Sequence, residues 1–281
     1  SNIMAEYSPM MQHYLATKAE YKDCILFYRL GDFYEMFFDD ALVVSKELEL
    51  TLTGKDCGQE ERAPMCGVPF HAAETYINRL VSNGHKVAIC EQMEDPKQAK
   101  GIVKREVIKV VTPGTNLNSQ ALDETKNNYL MSIVYLGDVL GVAIADYSTG
   151  DFFVTEIETG AELIDEINKF VPSEIILNEY FAMSGIDLTF ISEKLSISVS
   201  TLENWYFDDD SCKAKLKEHF HVNMLDGLGI KDYPVGIDAA GALLIYLTQT
   251  QKSDMSHITS IVPYTTGKYM RKRLNHFSTP V

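Results

Sequence analysis

Gly31-Asp32-Phe33-Tyr34-Glu35 places two aromatic rings and a carboxylate just past the apolar run Cys24 to Leu30. That run has the pattern of a strand buried on both faces, and Gly31-Asp32 ends it in a turn. Asp32 can then cap a helix over about 33–48, with Glu35 three residues on and Phe37, Ala41, Val44 and Leu48 at helical spacing. Phe33 and Glu35 can project past that helix end, but the residues taken by themselves favour the plainer reading, in which Phe33 caps the core and Glu35 completes a capping box. Other chemistries find less support. The two Gly-Lys pairs, Gly54-Lys55 and Gly267-Lys268, are followed by Asp56 and Tyr269 rather than Ser or Thr, so there is no P-loop. His219 and His221 flank Phe220 with Cys212 upstream, which is no zinc spacing. Gly-x-Ser-x-Gly is absent, although a triad assembled from distant residues stays open.

The elements that position these residues fall into two parts. In the first, a short helix is expected over 4–20, a strand at 50–53, an exposed loop at 54–69, a helix at 71–83 and strands at 87–92 and 106–111. Thr112-Pro113-Gly114-Thr115 stops the last strand, and the polar residues 116–128 have the composition of a linker. The second part opens with three strands, 129–136, 139–147 and 152–158, joined by turn residues as a meander. A helix at 160–170, a strand at 174–177, a strand near 188–191 and a helix near 209–220 complete a β-β-β-α-β arrangement. Ile237 to Gln251 is a helix apolar almost all round, which requires packing into something larger than the domain before it. Such a meander also begins metal-dependent ribonuclease-H-like nucleases, but strand 129–136 holds no acid, and Asp146 and Asp151 sit at turn ends where carboxylates are usually solvated.

Composition bounds the function. At 281 residues, 46% hydrophobic and 23% charged, the chain is long enough for two cores and has the balance of a folded protein. The longest strongly apolar stretch, Ala239 to Leu247, is too short to span a membrane. With no secretory pattern and five cysteines in no paired motif, a cytoplasmic protein with reduced thiols is expected, and Ser1-Asn2-Ile3 has the character of a tag remnant. A net charge of −15 opposes phosphate binding, yet it is unevenly spread. Residues 1–115 carry 13 basic and 17 acidic side chains, residues 116–266 carry 8 and 23, and residues 267–281 carry 4 and none. Lys97, Lys100, Lys104, Arg105 and Lys109 against the single Glu106 form either a solvated face or a phosphate-contacting edge.

Four ordered motifs carry a resemblance. Gly31-Asp32-Phe33-Tyr34-Glu35-Met36-Phe37, Pro64 to Ala72, Val87 to Gln92 and Val110 to Thr115 are similar to the mismatch-recognition domain of the MutS family of DNA mismatch repair proteins, the first through its Phe-x-Glu motif. Residues 116 to about 230 resemble the family's connector domain more loosely, and 235–262 the helix leading into its core and lever domain. The resemblance implies an α/β (α+β) chain: a mixed α/β mismatch-recognition domain (1–115), a linker (116–128), a ribonuclease-H-like α/β connector (129–234), the helix toward the core (235–270) and a tail, 271–281, unlike the family.

It further implies that Phe33 enters the minor groove of kinked DNA and stacks on a mispaired base while Glu35 hydrogen-bonds to it. Asp32, Arg62, Pro64, Met65, Lys104 and Arg105 are the further DNA contacts it suggests. A wedge costs less where pairing is already weakened, and a carboxylate beside phosphates penalises bases that fail to partner it. The implied partners are mismatched double-stranded DNA, a MutL-type protein bound through the connector, and a second copy in a full-length homodimer, with no membrane. ATP and magnesium would belong to the full-length protein only, leaving this fragment without cofactor or enzymatic activity. The alternatives are a metal-dependent nuclease on the second part, or a partner-binding module without DNA contact. Limited proteolysis should cut first between Asn116 and Asn128, and resistance there would show that this stretch is packed.

Overall fold

The computed structural model describes residues 6–117 and 127–266. Most of the expected linker, the first three residues and the tail 271–281 lie outside them. The chain divides into two compact units, Ser1–Asn116 and Leu117–Val281. Each is a mixed α/β layer structure.

The first unit contains α1 (Pro9–Glu20), β1 (Ile25–Leu30), β2 (Phe33–Phe37), α2 (Phe38–Glu47), β3 (Thr53–Lys55), β4 (Ala63–Pro69), α3 (Ala73–Ser82), β5 (Val87–Gln92) and β6 (Arg105–Val111). Its sheet runs β3-β4-β2-β1-β5-β6, with β1 and β5 parallel and the other pairs antiparallel. Helix α1 covers one face, where Met11 and Tyr14 pack with Tyr28, Phe37 and Cys90. Helices α2 and α3 cover the other, where Val44, Leu48 and Leu80 meet Phe27, Tyr34, Met36 and Val68. Asp40 ties α2 to the sheet, accepting the Leu26 amide at 2.9 Å and pairing with Lys18 at 2.9 Å.

Two expectations are corrected here. The helix placed at 33–48 begins at Phe38, because Phe33 to Phe37 form a strand paired on both edges, with β1 and β4. Gly31 and Asp32 are therefore a two-residue hairpin turn, Gly31 at φ +58°, and not a helix entrance. Neither Asp32 nor Glu35 takes part in a capping box. The supposed loop 54–69 contains the strand β4 and most of β3, short segments hidden in polar, Gly- and Pro-containing sequence.

The second unit contains β7 (Tyr129–Leu136), β8 (Val139–Asp146), β9 (Phe152–Ile157), α4 (Gly160–Phe170), β10 (Glu174–Leu177), α5 (Thr189–Leu195), β11 (Ser198–Thr201), α6 (Asp209–Phe220), α7 (Pro234–Gln251) and β12 (Val262–Pro263). The strand order is β11-β10-β7-β8-β9-β12, built on the expected meander and its parallel neighbour β10. The segment expected as a strand near 188–191 is α5, and the strand follows it as β11.

Helix α7 does not wait for a larger partner. It packs with α6 on one face of this sheet, while α4 and α5 cover the other. Glycines make that closeness possible: a Cβ on Gly141 of β8 would lie 2.2 Å from the Val235 carbonyl oxygen, and one on Gly241 of α7 2.3 Å from Cys212 Cβ. After α7 the chain returns as β12 beside β9, and Tyr264 donates to Glu166 at 2.7 Å. Residues 235–264 thus complete the second core.

Asp146, expected to be solvated, is fully buried. Its Oδ1 accepts from the Ser148 amide at 2.9 Å and hydroxyl at 2.8 Å, which closes the β8–β9 turn. Among the described residues no set of three or more His, Cys, Asp or Glu side chains is placed to hold a metal ion, and no helix is long and apolar enough to cross a membrane. The five cysteines are free and buried.

One buried acid couples the second core to pH. Asp238 of α7 is 5% exposed; burial, then the hydrogen-bonded Asp209 of α6, push its carboxyl up to about 8, against Lys213, with Asp208 adding to the rise. Cys212, packed beside it, is itself held protonated by burial. Unfolding returns Asp238 to its ordinary value of 3.8, so between these values the native state holds more protons and stability falls as pH rises. The melting temperature of the second unit should drop between pH 5 and pH 8.5 by roughly 4–8 °C, the effect of about 2 kcal/mol in a unit of this size. Asp238→Asn, read by calorimetry, should remove most of that drop.

Candidate nucleic-acid interface

Strand β2 alternates. Tyr34 and Met36 point into the core under α2 and α3, so Phe33, Glu35 and Phe37 face the side of α1. Helix α1 reaches only the far end of that row, where Tyr14 meets Phe37 with ring centroids 4.8 Å apart. Phe33, beyond its cover, is 45% exposed. Its backbone is held all the same, opposite Leu30 of β1 and Pro69 of β4. Glu35 sits opposite Tyr28 and Gly67.

Gly67 is what makes room. A Cβ there would lie 3.2 Å from the Tyr34 carbonyl oxygen, 3.4 Å from Glu35 Cγ and 3.7 Å from the Phe33 ring. The carboxylate of Glu35 is partly enclosed, and its Oε2 pairs with Lys55 Nζ at 3.2 Å across β4.

On the opposite face, Arg29 locks the hairpin. Its Nε donates to the Gly31 carbonyl at 2.6 Å and its Nη1 to Glu91 at 2.9 Å, and its guanidinium lies 3.9 Å from the Phe70 ring centroid. Tyr34 also donates to Glu91, and burial together with that acceptor pushes the phenol up to about 12.

The other expected contacts separate. Asp32 is exposed in the turn, and its carbonyl accepts the Phe70 amide at 2.8 Å. Met65 lies opposite Phe37 on the row that includes Phe33, whereas Pro64, its neighbour on β4, points to the other face opposite Gly54. Arg62 is exposed, held to the Gly54 carbonyl at 2.5 Å and near Asp56 at 3.5 Å. Lys104 is exposed and pairs with Glu106 at 3.3 Å. Arg105 corrects the reading of an available cation. It is 8% exposed, its guanidinium donates to the Arg29 and Val103 carbonyls at 2.6 and 3.0 Å, and it lies 5.0 Å from the Tyr28 ring centroid. A guanidinium so committed braces β6 against β1. It also lowers the nearby His13, already depressed by burial, whose Nδ1 meets the Tyr28 hydroxyl at 2.8 Å.

Sequence reasoning missed Lys55 and Gly67. Lys55 drew notice only as half of a failed P-loop, and Gly67 stands in β4 between the buried Cys66 and Val68 without any turn signal. Chemically, the site offers a half-exposed ring, a carboxylate oxygen and a rigid floor. It can bind, stack and accept a hydrogen bond. Gly67→Ala should displace the ring and the carboxylate together at little cost in stability, about 1 kcal/mol or less for a site this near the surface. Thermal melting beside a crystal structure of the variant checks it: unmoved side chains would show that Gly67 is not what seats them.

Comparison with known proteins bears on this surface. The chain matches the family models described as MutS domain I, over residues 8–120, and MutS domain II, over residues 128–259. It is 62% identical over 267 residues to the DNA mismatch repair protein MutS of Lachnoclostridium phytofermentans, covering 95% of this chain and 29% of that protein. It is 53% identical to the proteins of the same name from Ruminiclostridium cellulolyticum and Acetivibrio thermocellus, covering 95% of this chain and 31% of each. The chain thus spans under a third of the length of these relatives. With both of its units accounted for by successive domain models of one family, the chain belongs to the MutS family of DNA mismatch repair proteins.

Proposed function

We propose that the first unit recognises mispaired or unpaired bases in double-stranded DNA, with Phe33 as the wedge and Glu35 as the hydrogen-bonding partner. The observation that carries this reading is the pairing of a half-exposed phenyl ring with a carboxylate two residues on, both on one face of a strand paired along both edges. A wedge must be presented rigidly, because a ring that yields before the bases unstack gains nothing. Stacking on the ring returns about 1–3 kcal/mol per base. Entry costs unstacking of a few kcal/mol, and least where the pair is already defective, so discrimination arises from deformability. Lys104 and Arg62, exposed in the same unit, suit contacts to phosphate, which position the protein without reading sequence.

On this reading the chain is the N-terminal part of a longer protein that works as a homodimer and uses ATP and magnesium outside these residues. Its second unit, which holds most of the acidic excess, would present the surface for a MutL-type partner through a basic patch on that partner. The acidic balance is compatible with DNA binding when the rest of the dimer supplies most of the cationic contacts.

In the full-length protein, Phe33→Ala should lower mismatch affinity about 5- to 150-fold toward the homoduplex value, the range that about 1–3 kcal/mol of stacking implies, and leave homoduplex affinity nearly unchanged. Glu35→Gln should raise homoduplex affinity and erode discrimination from the other side. Titration of matched and mismatched duplexes, with a thermal melt beside each, checks both. A large loss of stability with unchanged discrimination would make Phe33 a core residue instead.

A further inference from the structure

We propose that Lys55 is the positioning residue for Glu35, setting which of its two oxygens reaches a base and offsetting its charge beside phosphate. The inference rests on the reading of Glu35 given above. Its ground is the ion pair that joins them. Lys55 Nζ lies 3.2 Å from Glu35 Oε2, with side-chain exposures of 34% and 16%. Glu35 Oε1 has no hydrogen-bond partner among the described residues. The carboxylate is therefore divided into one oxygen that is held and one that is free.

The arrangement answers two physical demands at once. A carboxylate on a freely turning side chain offers either oxygen, and ordering it on binding costs entropy; a pair already formed meets much of that cost in advance. A carboxylate near the phosphate backbone also raises the energy of every complex, specific or not, and an ammonium at 3.2 Å offsets most of that field at the distance of the phosphates. Lys55 reaches Glu35 from β3, at the edge of the sheet, across β4. Its neighbour Arg62 holds the Gly54 carbonyl at 2.5 Å, which steadies the three-residue strand that carries it. The Gly-Lys pair that fails as a P-loop thus has a structural use: Gly54 gives Arg62 its place, and Lys55 holds the carboxylate.

A double-mutant cycle tests the assignment. Wild type, Lys55→Met, Glu35→Gln and the double variant are titrated in the full-length protein against a matched duplex and one carrying a single mismatch, at two salt concentrations, with Phe33→Ala as control. If Lys55 acts through Glu35, Lys55→Met lowers the ratio of mismatch to homoduplex affinity by about threefold or more, a coupling in the range found for residues in contact. In the Glu35→Gln background the same change leaves that ratio unmoved, and Lys55→Arg restores it. Equal losses for both duplexes in both backgrounds, with a shallower salt dependence, would overturn the proposal and make Lys55 an ordinary phosphate contact. A ratio that falls with Phe33→Ala but not with Lys55→Met also overturns it while leaving the wedge intact. A ratio indifferent to Phe33→Ala rejects the underlying reading instead. Lys55→Gln gives the same comparison should Lys55→Met melt early.

Discussion

Strand β2 is five residues long and paired on both edges, and nearly everything in the first unit that bears on function follows from its register. The two-residue turn at Gly31-Asp32 aligns Leu30 with Phe33, and β4 repeats the alignment from the other side through Pro69 and Gly67. Side chains along a strand alternate, so a slip of one residue would turn Phe33 and Glu35 into the core and send Tyr34 and Met36 to the surface. Two hydrophobic faces, one under α1 and one under α2 and α3, oppose that slip. The exposed ring is thus held by burial of the residues that follow it on the strand, Tyr34 and Met36 on one face and Phe37 on the other.

Charge in the first unit is arranged around the same strand. Arg29 and Glu91 brace the hairpin from below, Arg105 spans β6 and β1, and Lys55 meets Glu35 on the face that carries Phe33. Most of these cations are spoken for within the fold. Basic residues near a candidate DNA surface are therefore not a reserve of phosphate contacts. Several of them are what keeps the surface in shape, and the exposed Lys104 and Arg62 remain the better candidates for touching a backbone.

The second unit shows a different constraint, close approach of a helix to a sheet. Gly141, Gly236 and Gly241 leave no room for a Cβ, and α7 settles against β8, β9 and α6 at those points. So little solvent reaches this layer that Asp238 stays protonated well above the ordinary carboxylate range. The helix is apolar all round because it is enclosed by its own unit, with the sheet on one side and α6 and the following loop on the other.

Strand meander, helices α4 and α6, and the division into two cores were legible in the chain itself, because each has a strong period bounded by turn residues, as at Gly137-Asp138 and Thr149-Gly150. So were the motif around Phe33 and the family it resembles. What could not be read was that Phe33 to Phe37 is a strand. Those five residues run without a break into a helical period, and only the presence of β1 and β4 on either side supplies the hydrogen bonds that make them extended. Lys55, Gly67 and the enclosed Arg105 were hidden for the same reason. Each owes its role to a residue distant in sequence, and pairing across strands is decided by tertiary packing, where local propensity has no say.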